Sequence, residues 1–141
     1  PVFGNVPEPD CGGDVIATTE EAGRHLASLV PPGSTVFWDG GLSPAPLLYL
    51  KDIKIFGAQL NDGYSFRRGG DSDQLYRYGF WNEELKRRWL DEADYLLIVD
   101  YGYKQGYNNM IDLDKFEELP ITGYIATCRD NSRIHTFKRI Q

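Results

Sequence analysis

Apolar residues recur at helical spacing in two stretches of the chain. The first stretch carries a stripe of four such residues: Ala22, Leu26, Leu29 and Val30. Thr18 and Glu21 form a capping-box pattern in front of it, so the first helix is predicted to begin near Thr18 and to end before Pro31. The second stretch, 82–92, contains Leu85 and Trp89, and Ala93 follows at the same spacing of four. It is predicted to be the best-formed helix of the chain.

Short runs of β-branched and aromatic residues predict strands at three places: 34–38, 53–56 and 95–99. The run 95–99 is continuously apolar, which is typical of a central strand that is covered on both faces. Near the end of the chain, two further strands at 122–127 and 134–138 flank a turn-forming segment. They are predicted to form a closing antiparallel hairpin.

The remaining segments carry weaker patterns. Ser43 followed by Pro44 predicts the start of a short helix, and the apolar residues of 113–119 suggest one or two helical turns. The stretches 57–80 and 101–109 are rich in Gly and in Asp or Tyr, and they lack a clear period. Both are predicted to be loops, the longer one either functional or packed by its own aromatic side chains.

The order of these elements predicts the fold class. Strands alternate with helices through most of the chain, which favours a mostly parallel sheet with helices on both faces. We therefore expect a small Rossmann-like three-layer α/β sandwich with an antiparallel C-terminal hairpin. The Pro- and Gly-rich residues 1–13 are interpreted as a linker-like leader, and residues 14–141 as a single domain.

Composition and charge narrow the classes of partner. Apolar residues make up 41% of the chain and aromatic residues 13%, which excludes a disordered chain. The longest apolar run has the five residues of 95–99, so this sequence contains no membrane span or signal peptide. The net charge is −6, from 15 basic and 21 acidic residues. Nucleic-acid binding normally needs a surplus of basic residues, so we expect no nucleic-acid partner.

The carboxyl ends of the strands are the usual place for a ligand in such a sheet. Asp39 and Asp100 each follow a predicted strand. They form either an acid–base or ligand-binding pair, or they accept hydrogen bonds from backbone N–H groups of the loops. We expect charged and aromatic residues of the two loops to border the same crevice: Tyr64, Arg67, Arg68, Asp71, Asp73, Tyr101 and Tyr103. The arginines suit a phosphate and the aromatic rings suit a sugar. The alternative is that the longer loop fills the crevice with its own side chains.

The motifs of common enzyme classes are absent from the sequence. It has no GxGxxG fingerprint, no P-loop and no GxSxG elbow. Asp71 and Asp73 have the DxD form that can hold a divalent cation, but the neighbouring arginines make a loop salt bridge the simpler interpretation. His25 and His135 lack a second ligand at metal-binding spacing. We assign no catalytic residue and expect neither a metal nor a cofactor.

Two longer stretches are similar to a known family. They are EAGRHLASLVPPGSTVFWDGGLSPAPLLYL at 21–50 and FWNEELKRRWLDEADYLLIVDYGY at 80–103, together with the GGD at 69–71. These stretches resemble the soluble C-terminal domain of bacterial membrane glycosyltransferases of the dolichyl-phosphate-mannose protein mannosyltransferase-like class. In that class, membrane helices carry catalysis, and the catalytic acid lies in a loop between them. The resemblance therefore carries over no catalytic residue.

The resemblance implies a location and a set of partners. It implies a non-catalytic accessory domain on the extracytoplasmic face of the membrane, in a glycosyltransferase that uses a polyprenyl-phosphate sugar donor. The implied partners are the membrane-embedded part of the same polypeptide and a glycan or lipid-linked sugar. In that oxidising setting Cys11 and Cys128 would form a disulfide; otherwise they are two unrelated thiols.

Two other functions stay open on the sequence alone. One is a free-standing α/β enzyme that uses Asp39 and Asp100 across the strand ends. The other is a carbohydrate-binding module whose site lies at the carboxyl ends of the strands. Membrane spans encoded upstream of this sequence would favour the accessory domain over either alternative.

Overall fold

A computed structural model describes residues 15–40, 44–120, 124–126 and 131–141. Within these residues the α-helices are α1 (Val15–Leu29), α2 (Ser72–Arg77), α3 (Glu83–Glu92) and α4 (Asp100–Gln105). The strands are β1 (Thr35–Asp39), β2 (Lys54–Ile55), β3 (Tyr95–Val99), β4 (Phe116–Leu119), β5 (Tyr124–Ala126) and β6 (Asn131–Arg139). Short 3₁₀ helices span Ala45–Tyr49, Gly57–Ser65 and Tyr107–Asn109. The α/β class is confirmed.

The sheet is mixed rather than mostly parallel. Its strand order is β2-β1-β3-β6-β4, and β5 pairs with β6. Strand β1 is parallel to both β2 and β3, whereas β6 is antiparallel to β3, β4 and β5. The predicted closing hairpin exists as β5–β6. However, β6 also lies between β3 and β4, because its residues Ile134–Phe137 are all buried and need cover on both sides.

Two apolar clusters hold the helices against the sheet, and alternating strand residues contribute to each of them. Val36 and Leu97 belong to a cluster that contains the buried stripe of α1. Phe37 and Leu96 belong to the other cluster, which contains the buried residues of α3. This alternation follows the two-residue period of a strand. The approach of α1 to the 3₁₀ helix Ala45–Tyr49 is close: a Cβ atom on Gly23 would lie 2.3 Å from the Tyr49 ring.

The helix predictions hold for α3 and partly for α1. Helix α3 begins after Asn82, whose side-chain oxygen accepts a hydrogen bond from the Leu85 N–H at 2.9 Å. Helix α1 already includes Val15, so Thr18 lies inside the helix and the predicted capping box is wrong. A short helix does follow Pro44, as a 3₁₀ helix. The proposed N-cap Ser43 lies outside the described residues.

Three segments differ from their predictions. The stretch 57–80 is not a loop throughout, because it contains the 3₁₀ helix Gly57–Ser65 and α2. The stretch 101–109 is likewise helical in α4 and in the turn that follows it. Residues 113–119 are not helical turns: Phe116–Leu119 forms the edge strand β4. Its apolar residues, three apart, fit a helix and a strand end equally well, and pairing with β6 decides between them.

None of the helices in the described ranges combines the length and the apolar composition that a membrane crossing requires.

Candidate functional site

Asp39 and Asp100 lie at the same edge of the sheet. Strand β1 pairs with β3 in parallel, with Asp39 opposite Ile98, and Asp100 follows the last residue of β3. Asp39 and Ile98 are paired residues of neighbouring strands and lie on one face of the sheet, and Asp100 follows β3 as the first residue of α4. Helix α4 starts at Asp100 and packs against that face: a Cβ atom on Gly102 would lie 3.5 Å from Asp39 Oδ2.

A histidine from the last strand binds Asp100. Strand β6 places His135 opposite Ile98, and His135 Nε2 lies 2.7 Å from Asp100 Oδ1. The other ring nitrogen, Nδ1, lies 2.8 Å from Oε2 of Glu118 on β4. The imidazole therefore bridges two carboxylates that come from different strands. Which ring nitrogen donates and which accepts depends on the tautomer of the imidazole.

Helix α4 covers this bridge. Lys104 Nζ donates to Asp100 Oδ2 at 2.8 Å, so both carboxylate oxygens of Asp100 have a partner. The Tyr103 ring stacks on the imidazole of His135, with 4.2 Å between ring centroids and 15° between planes. His135 is only 8% exposed as a result. We call Asp100, Tyr103, Lys104, Glu118 and His135 the histidine cluster.

The pKa of Asp100 is lowered below its ordinary value. The hydrogen bond from Lys104 is the largest cause, and the hydrogen bond from His135 is the second. Both stabilise the ionised carboxylate, and they outweigh the desolvation that acts in the opposite direction. The arrangement keeps Asp100 ionised within the histidine cluster. Each oxygen of Asp100 has a hydrogen-bond partner within the protein, and the side chain is 29% exposed.

A cavity of about 370 Å³ opens beside Asp39, and Tyr103 and Lys104, which belong to the histidine cluster, are not in its described lining. Its described lining combines aromatic, charged and glycine residues: Asp39, Gly63, Phe66, Trp81, Glu83, Lys86, Gly102, Gln105, Gly106, Tyr107 and Met110. Lys86 Nζ donates to Glu83 Oε1 at 2.9 Å and lies 5.2 Å from the centre of the Tyr107 ring. We call this the Asp39 cavity.

The charged residues of 67–73 do not join the Asp39 cavity. Arg67 donates to the backbone oxygens of Tyr64 and Phe66 at 3.0 and 2.9 Å, and its guanidinium lies over the Phe80 ring. Arg68 is exposed. Among the described residues that line the cavity, neither arginine appears. The predicted crevice in which they meet the strand ends is therefore not assembled.

The DxD pair serves α2 instead. Asp71 is the N-cap of this helix and accepts a hydrogen bond from the Gln74 N–H at 2.8 Å. Asp73 forms an exposed ion pair with Arg88 at 3.3 Å. Asp73 therefore forms a salt bridge, as the simpler interpretation expected, but its partner is Arg88 rather than one of the neighbouring arginines. In the described part of the chain, no group of three or more His, Cys, Asp or Glu side chains is arranged to hold a metal ion.

The predicted residues thus divide into separate groups. Asp39 lines the cavity, whereas Asp100 and Tyr103 belong to the histidine cluster. Tyr101 points outward and is 72% exposed. The expectation of a single crevice is wrong, because different residues of α4 line the cavity and contact His135 and Asp100. Cys11 and Cys128 lie outside the described residues.

Sequence reasoning missed His135, Glu118 and Lys86. Glu118 was assigned to a helical turn, and only its place in β4 brings it to His135. The partners of His135 are separated from it by 35 and 17 residues, and strand register alone brings them together. The one available signal was a histidine next to Ile134 inside the predicted strand 134–138. Such a residue requires polar partners when it is buried.

No family model, no curated protein and no solved structure matches this chain.

Proposed function

We propose that this chain is a non-catalytic accessory domain of a membrane glycosyltransferase that uses a polyprenyl-phosphate sugar, and that it lies on the extracytoplasmic face of the membrane. The resemblance of residues 21–50 and 80–103 to such domains supports the proposal. We also propose that the fold is a Rossmann-like three-layer sandwich. The two apolar clusters, one with α1 and one with α3, support this finer description.

The single observation that carries the non-catalytic assignment is the closure of the histidine cluster. A general acid or base must reach the proton that it transfers. Both oxygens of Asp100 and both nitrogens of His135 are already engaged with protein atoms. Tyr103 stacks on the imidazole and His135 is 8% exposed, which restricts the access of a substrate to the ring. This also argues against a free-standing enzyme that uses Asp39 and Asp100 as a pair.

An apolar surface supports packing on a second part of the polypeptide. Ile16 of α1 and Leu48 of the 3₁₀ helix Ala45–Tyr49 are 76% and 84% exposed. Both line one cleft of about 240 Å³ between these helices. A surface that pairs exposed aliphatic side chains in a cleft is typical of an interaction site. In the proposal, this cleft faces the membrane-embedded part of the transferase.

The proposal is tested by the sequence that the gene encodes before Pro1. The proposal expects the same reading frame to encode, before Pro1, several apolar segments of about 20 residues each. It also expects protease added to intact spheroplasts to cleave this domain, which places the domain outside the cytoplasm. A reading frame that starts immediately before Pro1, or a domain protected until the membrane is permeabilised, would contradict the proposal.

A further inference from the structure

We infer that the Asp39 cavity is a binding site for a single neutral sugar ring. Its volume of about 370 Å³ lies at the lower end of the range of small-molecule sites, so its ligand is small. The site is distinct from the histidine cluster, and its assignment does not depend on the glycosyltransferase proposal. It rests on the chemistry of the cavity walls.

One wall of the cavity is aromatic. Trp81 is held in place by the hydrogen bond from its Nε1 to Ser65 Oγ at 3.0 Å. Its indole N–H is therefore directed to the protein, and Trp81 is only 7% exposed, so little of its ring faces the cavity. Phe66 packs against Trp81 edge to face, with 5.0 Å between ring centroids, and the buried Tyr107 also lines the cavity. Phe66 itself is half-buried, so its ring offers the aromatic surface that suits the C–H face of a sugar ring.

Other residues of the lining are polar and of mixed hydrogen-bonding type. Asp39 supplies an acceptor, Lys86 supplies a donor, and the Gln105 amide supplies both. A hydroxyl group both donates and accepts, so a ring with several hydroxyl groups is matched by such a set. Lys86 is well placed for this role, since Glu83 and the Tyr107 ring hold its ammonium group near the cavity.

The charges in the cavity disfavour an ionic ligand. An anion such as phosphate would meet the carboxylates of Asp39 and Glu83, and the ammonium of Lys86 is already paired with Glu83. A cation would meet that same ammonium, which already lies over the Tyr107 ring where a cationic ligand would stack. A neutral polyol avoids both conflicts and can use the donors and acceptors of each residue.

Gly102 provides a variant that changes the cavity without disturbing the fold. A Cβ atom at Gly102 would lie 3.5 Å from Asp39 Oδ2 and 3.6 Å from the Tyr107 ring, which are ordinary contact distances. Gly102 lies within α4, where alanine is a better helix former than glycine. Gly102→Ala therefore keeps the helix and places a methyl group in the cavity, between the carboxylate and the aromatic wall.

The experiment is a titration of the full ¹⁵N-labelled chain, followed by amide NMR shifts. The probes are methyl glycosides of mannose, glucose and galactose, with choline chloride and sodium phosphate as ionic comparators. We expect at least one glycoside to cause saturable shifts at Gly63, Gly102 and Gly106, with a dissociation constant on the order of 1 mM. We expect Gly102→Ala to weaken binding by about tenfold, because the added methyl group takes the space beside Asp39 Oδ2, which accepts from the ligand.

The matched control is Gly57→Ala. Gly57 is exposed, lies outside the described lining of the cavity, and has no atom within 4 Å of a Cβ built on it. It should leave the affinity unchanged. The inference is overturned if none of the three glycosides causes saturable shifts around the cavity, if choline or phosphate does so instead, or if Gly102→Ala binds as tightly as Gly57→Ala. Each of these results leaves the gene-based test of the accessory-domain proposal unaffected.

Discussion

The histidine cluster and the Asp39 cavity share one edge of the sheet and one covering helix, yet only the cavity has open space beside its polar groups. In the cluster, the imidazole and Asp100 are satisfied by each other and by Lys104 and Glu118. In the cavity, polar side chains and an aromatic wall surround open space of about 370 Å³. The comparison shows that acidic residues at strand ends do not by themselves mark a site. A binding site also needs polar groups that face open space.

The largest expected effect is the loss of His135. His135→Ala removes the buried bridge between two carboxylates and the ring under Tyr103, so we expect it to lower the free energy of unfolding by about 2–3 kcal/mol. Urea denaturation measures this change. His25→Ala is the control, because His25 is exposed on α1 and its removal should change stability by less than about 0.5 kcal/mol. Equal effects of the two substitutions would contradict a structural role for the cluster.

A smaller effect is expected from two neighbouring tyrosines of α4. Tyr103 stacks on His135 and Phe137, whereas Tyr101 is exposed. Tyr103→Ala should therefore cost about 1–2 kcal/mol in urea denaturation, from lost ring contacts and apolar burial. Tyr101→Ala should cost less than about 0.5 kcal/mol. If Tyr101→Ala is the more destabilising of the two, α4 does not cover the sheet as described.

The histidine cluster also predicts a dependence of stability on pH. The pKa of Asp100 is depressed in the folded state, so its contribution is present above the ordinary carboxyl pKa near 3.8 and is lost as the pH falls through the depressed value. Asp100→Asn should therefore reduce the acid-induced loss of stability, measured by urea denaturation across this range. Asp73→Asn, at an exposed ion pair, should keep the wild-type profile. A wild-type profile in Asp100→Asn would count against the assigned contacts.

The smallest expected effect on stability comes from a substitution beside the Asp39 cavity. Gly102→Ala should raise the free energy of unfolding by a few tenths of a kcal/mol, up to about 1 kcal/mol, because alanine favours the helix and meets no close contact. Thermal unfolding measures this effect, and Gly57→Ala shows what a glycine substitution does outside the cavity. A clearly destabilised Gly102→Ala would mean that α4 packs more tightly on Asp39 than the described distances allow.

Much of the fold was predictable, because its central elements have strong local patterns. The apolar run Tyr95–Val99 and the four-residue spacing in α3 reflect burial on both faces of a strand and on one face of a helix. Helix α4 was missed because its six residues are too few to show a period and include Gly102. Strand β4 was missed because its pairing partner, β6, lies later in the chain.

The site was less predictable than the fold. Asp39 and Asp100 were assigned to one strand edge because parallel strands align their carboxyl ends. Their separation into a closed cluster and an open cavity depends on the placement of α4 and on the register of β6 against β3. Neither follows from residue types or spacing. The arginines of 67–68 illustrate the same limit, since the backbone oxygens that Arg67 binds become available only in the folded loop.

The central claim is that the cluster is closed and the cavity is open, and one glycoside titration tests both regions in the same spectra. The account predicts that the methyl glycoside that binds shifts the amides of Gly63 and Gly106, which line the cavity, and leaves those of Glu118 and His135 in place. Saturable shifts centred on Glu118 and His135, with the cavity amides unchanged, would contradict it.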